Sequence, residues 1–193
     1  MISLSAPDFA ENQPFPHCGW DQVLPVSEAD AVLDWLERAP WQLRVESFYE
    51  QHEFSLLSNS LPTEMAALTS PDTTGGLASH LQDLFEVDSP LTLVDVSAHR
   101  LSAGQTIRVH NDFLGTEETH RLLVQLNRGW TINNGGLLMV FGSDSAEDVR
   151  DAMLPNHGSG FAFEISSNSF HAVSTINSGE RYTLVYTFRS NVA

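Results

Sequence analysis

The sequence predicts a mainly β protein, a β-sandwich or jelly roll flanked by a helical N-terminal part. Apolar residues recur at helical spacing in several segments before Pro90, whereas the chain after Pro90 consists of short strand-like segments separated by turns. The 193 residues contain no internal repeat and no linker long enough to separate two domains. We therefore expect a single domain over 1–193, in which residues 1–90 form the helical flank and the first strands and residues 91–193 form the β core.

The N-terminal part is predicted to begin with a helix that follows Ser27. Ser27 and Asp30 resemble a capping box, and the apolar residues after them recur at helical spacing. Pro40 ends this helix near Arg38, because the residue before a proline avoids the α region. The other predicted segments are a strand-like stretch at 41–57 and short helices at 63–68 and 77–85.

Short strands dominate the sequence after Pro90. They are bounded by turn signals rich in glycine, asparagine and serine, such as Asn133–Gly136 and Asn177–Gly179. A stretch of acidic and small residues, Ser143–Ala152, interrupts the strands and is predicted to form a short surface helix. The predicted strands cover residues 91–101, 105–113, 121–127, 136–142, 160–165, 169–176 and 181–189.

The composition limits the partners and the location of the protein. The formal net charge is −16 and all nine basic residues are arginines, so the chain should repel nucleic-acid phosphates and anionic lipid. This acidity either serves solubility or attracts a basic substrate. The longest apolar run, Leu137–Phe141, is too short to span a bilayer. The absence of a secretory pattern at the N-terminus and the single cysteine, Cys18, favour the cytoplasm.

Two histidines and one aspartate form a candidate metal site. Side chains alternate between the two faces of a strand, so His110 and Asp112 point to the same side and can chelate one divalent cation. His171, in a later apolar strand, offers a second imidazole. This donor set is the one used by non-haem Fe(II) oxygenases, which leave positions open for a co-substrate and O2. The alternative is an exposed polar pair and an unrelated core histidine.

Arg181 is a candidate anchor for an anionic co-substrate. It lies ten residues after His171, and Thr183 shares its face of the final strand. A guanidinium group binds a carboxylate as a two-pronged fork, and a hydroxyl group adds a third hydrogen bond. A dicarboxylate would thus chelate the metal with one end and reach Arg181 with the other. The alternative role of Arg181 is a surface salt bridge.

Residues 101–189 resemble the Fe(II)/2-oxoglutarate-dependent dioxygenase superfamily, in its prolyl-4-hydroxylase-like branch. The resemblance rests on the order and spacing of many residues taken together, over nearly half of the chain. The matching residues are Gly104, His110, Asp112, Arg121, Leu126, Asn127, Trp130, Gly135, Gly136, Phe141, Pro155, Gly158, Phe163, His171, Val173, Gly179, Glu180, Arg181, Tyr182 and Thr183.

The resemblance implies a double-stranded β-helix that binds Fe(II), 2-oxoglutarate and O2. It implies that Arg181 and Thr183 hold the far carboxylate of 2-oxoglutarate. Leu101 falls near the place where the family often has a co-substrate tyrosine, and Gln125 near the place of another. Val173, close to the second histidine, is expected to form part of the apolar wall of the pocket.

The implied activity is hydroxylation of an unactivated C–H bond with release of succinate and CO2. The branch favours a peptidyl or amino-acid substrate, and protein side chains and small molecules remain open. Candidate substrate-contacting residues are Arg108, Trp41, Arg44 and Phe48. The alternatives are a cupin-type metalloenzyme that does not use 2-oxoglutarate and a non-catalytic jelly-roll binding module. The sequence contains no pattern that indicates an oligomeric state.

Overall fold

The computed structural model describes residues 2–115 and 117–190, and these residues form two β-sheets and two α-helices. The larger sheet has eight strands in the order β1-β2-β10-β7-β12-β5-β4-β3, and the smaller has four in the order β6-β11-β8-β9. The strands are β1 Phe9–Glu11, β2 His17–Trp20, β3 Gln42–Val45, β4 Glu50–Ser55, β5 Leu91–Ser102, β6 Ile107–His110, β7 His120–Gln125, β8 Leu138–Phe141, β9 Val149–Met153, β10 Gly160–Glu164, β11 His171–Val173 and β12 Glu180–Ser190. The helices are α1 Val26–Leu36 and α2 Pro71–Leu84, with 3-10 turns at Thr63–Thr69 and Ile132–Asn134.

Both helices pack on one face of the large sheet. In α1 the buried residues Ala29, Val32, Leu33 and Leu36 recur at helical spacing, so the helix buries a single apolar stripe. They join buried side chains from alternate positions of the central strands, such as Leu184 of β12, in one core. Neither helix is long and apolar enough to cross a membrane.

The other face of the large sheet looks towards the small sheet. At one end the two sheets close on an apolar cluster that includes Phe161 and Phe163 of β10 and Leu138 and Val140 of β8. Elsewhere they enclose a cavity that is lined by side chains of both sheets. The prediction of a mainly β protein is confirmed, and the two facing sheets are the arrangement that a jelly roll requires.

The prediction of a helical N-terminal part is not confirmed, because four strands lie before residue 90. The stretch 41–57 is an antiparallel hairpin, and its strand β4 pairs with β5 at one side of the large sheet. At the other side β2 pairs with β10, and β1 pairs with β2. The strands β1 and β2 were not predicted: both are short, and β2 joins the sheet through β10, which lies far away in the sequence, so local periodicity does not reveal them.

Two local predictions were wrong. The capping box at Ser27 does not form, because α1 begins at Val26, after Pro25, and has no side-chain cap. Ser70 does cap a helix: its hydroxyl accepts from the backbone N–H of Thr73, and Pro71 follows at the first position of α2. The stretch Ser143–Ala152 is not a surface helix, since its second part belongs to β9 at the edge of the small sheet.

Candidate active site

Two adjacent strands of the small sheet bring the predicted ligands together. His110 ends β6 and pairs directly with His171, the first residue of β11. Asp112 lies just beyond β6, where a positive φ of 57° turns the chain. Its Oδ1 is 3.3 Å from His110 Nε2, and its Oδ2 is 3.1 Å from His171 Nε2. One donor atom from each of the three residues lies within 4.8 Å of the others.

Hydrogen bonds orient both imidazole rings towards the carboxylate. His110 Nδ1 is 2.9 Å from the carbonyl oxygen of Arg108, and His171 Nδ1 is 2.8 Å from that of Ser169. A carbonyl only accepts, so each Nδ1 carries the proton and each Nε2 keeps a free lone pair. Two imidazoles and one carboxylate therefore converge, and this donor set fits a divalent metal such as Fe(II).

Arg121 holds the aspartate in its ionised form. Its guanidinium group donates to Asp112 Oδ2 and, over 2.6 Å, to Glu118 Oε2. Burial alone would raise the pKa of Asp112, but the positive charge of Arg121 holds it well below its usual range. Burial likewise would lower the pKa of Arg121, and the two carboxylates raise it. The charged state needed for metal binding is thus already present.

Arg181 is a buried cation with unused hydrogen-bonding capacity. It is 4% exposed, its Nε donates to the Gly136 carbonyl over 3.0 Å, and its Nη1 donates to Thr183 Oγ1 over 2.9 Å. Its Nη2 has no hydrogen-bond partner in the described part of the chain. Burial without a carboxylate partner lowers the pKa of Arg181 to about 10. Such a group favours an anion from outside the protein.

One cavity of about 720 Å³ joins the metal-ligand cluster to Arg181. Its size suits a small organic acid together with part of a substrate. Its ionisable lining comprises five carboxylates, three guanidinium groups and three imidazoles, from Glu46, Glu53, Asp95, Asp112, Glu118, Arg44, Arg121, Arg181, His99, His110 and His171.

Residues 96–189 match the family model described as the 2OG-Fe(II) oxygenase superfamily. The match contains all three converging ligands and Arg181. Residues 96–189 form a 2OG-Fe(II) oxygenase domain. Proteins of this superfamily use Fe(II), 2-oxoglutarate and O2, so the predicted family and cofactors are confirmed at that level. The match favours an oxygenase over the cupin-type and non-catalytic alternatives.

Several solved structures have a similar fold over about nine tenths of this chain, including residues 96–189. A prolyl-4-hydroxylase from Pseudomonas putida has a TM-score of 0.72 and 18% identity, over 91% of this chain and 93% of its own. A viral collagen prolyl hydroxylase from Paramecium Bursaria Chlorella virus-1, solved with 2-oxoglutarate, has a TM-score of 0.67 and 15% identity, over 90% and 96%. At these identities the likeness shows the fold. No curated sequence gives a significant match to this chain.

A third similar structure is a prolyl hydroxylase from Trichoplax adhaerens in complex with a peptide of a hypoxia inducible factor. Its TM-score is 0.69 and its identity is 14%, over 90% of this chain and 83% of its own.

The other residues predicted to bind the co-substrate lie on the cavity face of the large sheet. Leu101, Val173 and Thr183 line the cavity directly. Gln125 is reached through Thr183, whose hydroxyl donates to Gln125 Oε1 over 2.9 Å. The structure thus gathers these residues around Arg181, and their roles in binding stay predictions.

The four predicted substrate residues fall into two groups. Arg44 and Phe48 line the cavity, and the Phe48 ring stacks on His110 with centroids 4.6 Å apart. Arg108 and Trp41 do not line it: Arg108 donates to the Ser47 carbonyl, and Trp41 packs against core rings on the helix side of the sheet.

Sequence reasoning missed a polar row on β5. Asp95, Ser97 and His99 all line the cavity, and none of them is among the predicted site residues. Burial lowers the pKa of His99 to about 4, so its ring is neutral at pH 7. The alternation of polar residues with Val96 and Ala98 was the signal that could have revealed this row.

Proposed function

We propose that the protein is an Fe(II)- and 2-oxoglutarate-dependent oxygenase that hydroxylates a C–H bond of a peptidyl or amino-acid-like substrate. The observation that carries the proposal is the convergence of two imidazoles and one carboxylate at the mouth of a cavity whose depth holds a buried, unpaired guanidinium group. The ligand cluster would bind the metal and the guanidinium group would bind the co-substrate. The family match covers both parts.

Under this proposal His110, Asp112 and His171 hold the iron through two Nε2 atoms and one carboxylate oxygen. The Arg108 and Ser169 carbonyls fix the two rings, and Arg121 fixes the carboxylate. Bound Fe(II) with 2-oxoglutarate supplies the chemistry that activates O2, with release of succinate and CO2. The protein contributes ligands whose orientation and charge are set before the metal arrives.

Arg181 is proposed to hold the far carboxylate of 2-oxoglutarate. The group is buried and has no carboxylate partner among the described residues, so an incoming carboxylate would neutralise an uncompensated charge. Thr183 adds a hydroxyl group beside it, and Leu101 and Val173 exclude water from the pocket. These features favour 2-oxoglutarate over a co-substrate without a second carboxylate.

A peptidyl or amino-acid substrate is proposed from the fold and from the cavity mouth. Two of the similar structures are a prolyl-4-hydroxylase and a prolyl hydroxylase bound to a peptide. Phe48 and Arg44 lie where a substrate would enter, and the open cavity leaves room beside the metal ligands. We further propose a cytoplasmic location, which the single buried cysteine favours.

The experiment that tests this function is an anaerobic titration of the Fe(II)-loaded protein with 2-oxoglutarate. A change in the iron absorption spectrum reports chelation, and succinate formed after O2 is admitted reports turnover. We expect Arg181→Ala to weaken 2-oxoglutarate binding by about thirtyfold or more, since it removes one partner of a buried charge pair. Iron binding should be retained.

The matched control is Arg150→Ala, which removes an exposed guanidinium group paired with Asp148 on the small sheet. It should leave the 2-oxoglutarate affinity unchanged. An iron spectrum that 2-oxoglutarate does not alter would contradict the proposal and favour a metalloenzyme without this co-substrate.

A further inference from the structure

We propose that the co-substrate pocket prefers a 2-oxo dicarboxylate that carries a hydroxyl group beside its far carboxylate, and that Gln51 accepts a hydrogen bond from this hydroxyl group. The inference rests on the proposed function, because it narrows the class of co-substrate that the same site binds. It comes from two buried polar atoms at the Arg181 end of the cavity. One is a donor, the other is an acceptor, and neither has a hydrogen-bond partner among the described residues.

Gln51, Leu101 and Arg181 form one row across the large sheet at this end of the cavity. The register of β4 and β5 sets Gln51 opposite Leu101, and Leu101 pairs directly with Arg181 of β12. All three side chains line the cavity. The backbones of Gln51 and Arg181 are therefore two strand spacings apart, roughly 10 Å. The apolar side chain of Leu101 between them offers a hydrogen bond to neither.

The end groups of Gln51 and Arg181 both lie at the next pair of residues along the sheet. Arg181 Nη1 donates to Thr183 Oγ1 over 2.9 Å, and Gln51 Nε2 is 3.3 Å from His99 Nδ1. His99 and Thr183 are direct partners across β5 and β12. The Gln51 amide thus reaches over β5, the one strand that separates it from Arg181. A carboxylate with a neighbouring hydroxyl group, hydrogen-bonded at each end, spans about 8 Å and can bridge the two side chains.

The orientation of the Gln51 amide is fixed by its neighbours. Glu53 accepts a 2.7 Å hydrogen bond from Gln51 Nε2, and the other oxygen of Glu53 accepts from Arg44 over 2.9 Å. A carboxylate only accepts, so the NH2 end of the amide must face Glu53 and the carbonyl oxygen must point elsewhere. Gln51 is only 2% exposed, and its Oε1 has no hydrogen-bond partner in the part of the chain that the structure describes. Gln51 is therefore a buried acceptor that is oriented before a ligand arrives.

Arg181 and Gln51 have opposite hydrogen-bonding requirements. Arg181 Nη2 needs an acceptor, and Gln51 Oε1 needs a donor. The far carboxylate of 2-oxoglutarate satisfies Arg181, but the dianion has no proton to donate, so only water can then pair with Gln51. A buried acceptor without a donor costs free energy, and a hydroxyl group on the carbon next to the far carboxylate would supply that donor. 4-Hydroxy-2-oxoglutarate has this arrangement and keeps the length of 2-oxoglutarate.

Anaerobic titration of the Fe(II)-loaded protein tests the inference. The ligands are 2-oxoglutarate and the two separate enantiomers of 4-hydroxy-2-oxoglutarate, and the change in the iron absorption spectrum gives each dissociation constant. We expect one enantiomer to bind about fivefold more tightly than 2-oxoglutarate, the size of one additional hydrogen bond. The inference is overturned if all three ligands bind equally or if both enantiomers bind more weakly than 2-oxoglutarate.

Gln51→Leu removes the acceptor and keeps a side chain of similar size. In this variant the affinity of the preferred enantiomer relative to 2-oxoglutarate should fall to about one, because the hydroxyl group has lost its partner. Gln82→Leu makes the same change on α2, outside the cavity, and should keep the preference. A preference that survives in the Gln51 variant would place the hydroxyl group elsewhere and overturn the inference.

The same titrations separate this inference from the proposed function. If 2-oxoglutarate alters the iron spectrum and neither enantiomer is preferred, only this inference fails. If none of the three ligands alters the spectrum, the proposed function fails as well.

Discussion

The same strands form both faces of the large sheet, but one face packs into an apolar core and the other lines a polar cavity. On β12, Leu184 and Tyr186 point to the helices and are completely buried, whereas Thr183 and Val185 point to the cavity. The helix face is an apolar core, and the cavity face carries unpaired charge and unsatisfied polar atoms. The apolar packing on the helix face stabilises the fold. The cavity face can therefore hold charged and unsatisfied polar groups, which destabilise the protein until a ligand binds.

The largest expected effect on the cavity side comes from Asp112→Ala. Removing the carboxylate leaves two imidazoles and an Arg121 that is paired with Glu118 alone, so we expect iron binding to weaken strongly and succinate release to fall to background. The measurements are iron content after dialysis and succinate formation. Asp151→Ala, which removes an exposed acid of β9, serves as the control. Full activity of the Asp112 variant would break the assignment of the metal site.

Adjacent residues of β12 sharpen the contrast between the faces. Leu184→Ala should lower the free energy of unfolding by about 3 kcal/mol, because it opens a void in the packed core. Val185→Ala should cost about 1 kcal/mol, since its side chain borders an existing cavity. Urea unfolding measures both values. Equal losses would mean that the cavity face is packed as tightly as the helix face.

The pH dependence of stability has a contribution from each face. Burial lowers the pKa of His99, on the cavity face, and that of His120, beside Phe85 of the helix side, to about 4. Between pH 6.5 and pH 4 the unfolded chain binds protons that the folded chain does not, so stability falls as the pH falls through this window. Each histidine contributes up to about 3 kcal/mol.

Unfolding of the His99→Gln and His120→Gln variants at several pH values tests this contribution. Each variant should show a shallower loss of stability between pH 6.5 and pH 4 than the unchanged protein. If both variants lose stability with pH as steeply as the unchanged protein, other groups cause the acid sensitivity.

The smallest expected effect is on the stability of the ligand-free protein when Arg181 is replaced by methionine. The change removes a buried cation that lacks a carboxylate partner and keeps an apolar side chain of similar length. We expect the free energy of unfolding to stay constant or to rise by about 1 kcal/mol, while 2-oxoglutarate no longer stabilises the protein. Thermal unfolding with and without 2-oxoglutarate measures both. A marked destabilisation would show that Arg181 supports the fold.

Much of the core sheet and of the candidate site was predictable because it depends on local pattern. The strands after Pro90 follow from alternation and turn residues, although β6 proved shorter than the predicted 105–113. Asp112 lies outside β6 with a positive φ, so the alternation argument reached the right pair for a partly wrong reason. The strands β3 and β4 fall within the predicted stretch 41–57, whereas β1 and β2 were missed because they are short and β2 pairs with the distant β10.

The sequence alone determined the chemistry that is available: two histidines and an aspartate at suitable spacing, an arginine ten residues further on, and no second cysteine. Only the tertiary structure decided which side chains share the cavity. Strand register placed Asp95, Gln51 and His99 beside the site. Packing against Phe54 and Tyr182 holds Trp41 on the other face of the sheet. Residue types and local spacing can be read directly from the sequence. The register of the strands depends on packing between segments that lie far apart in the sequence.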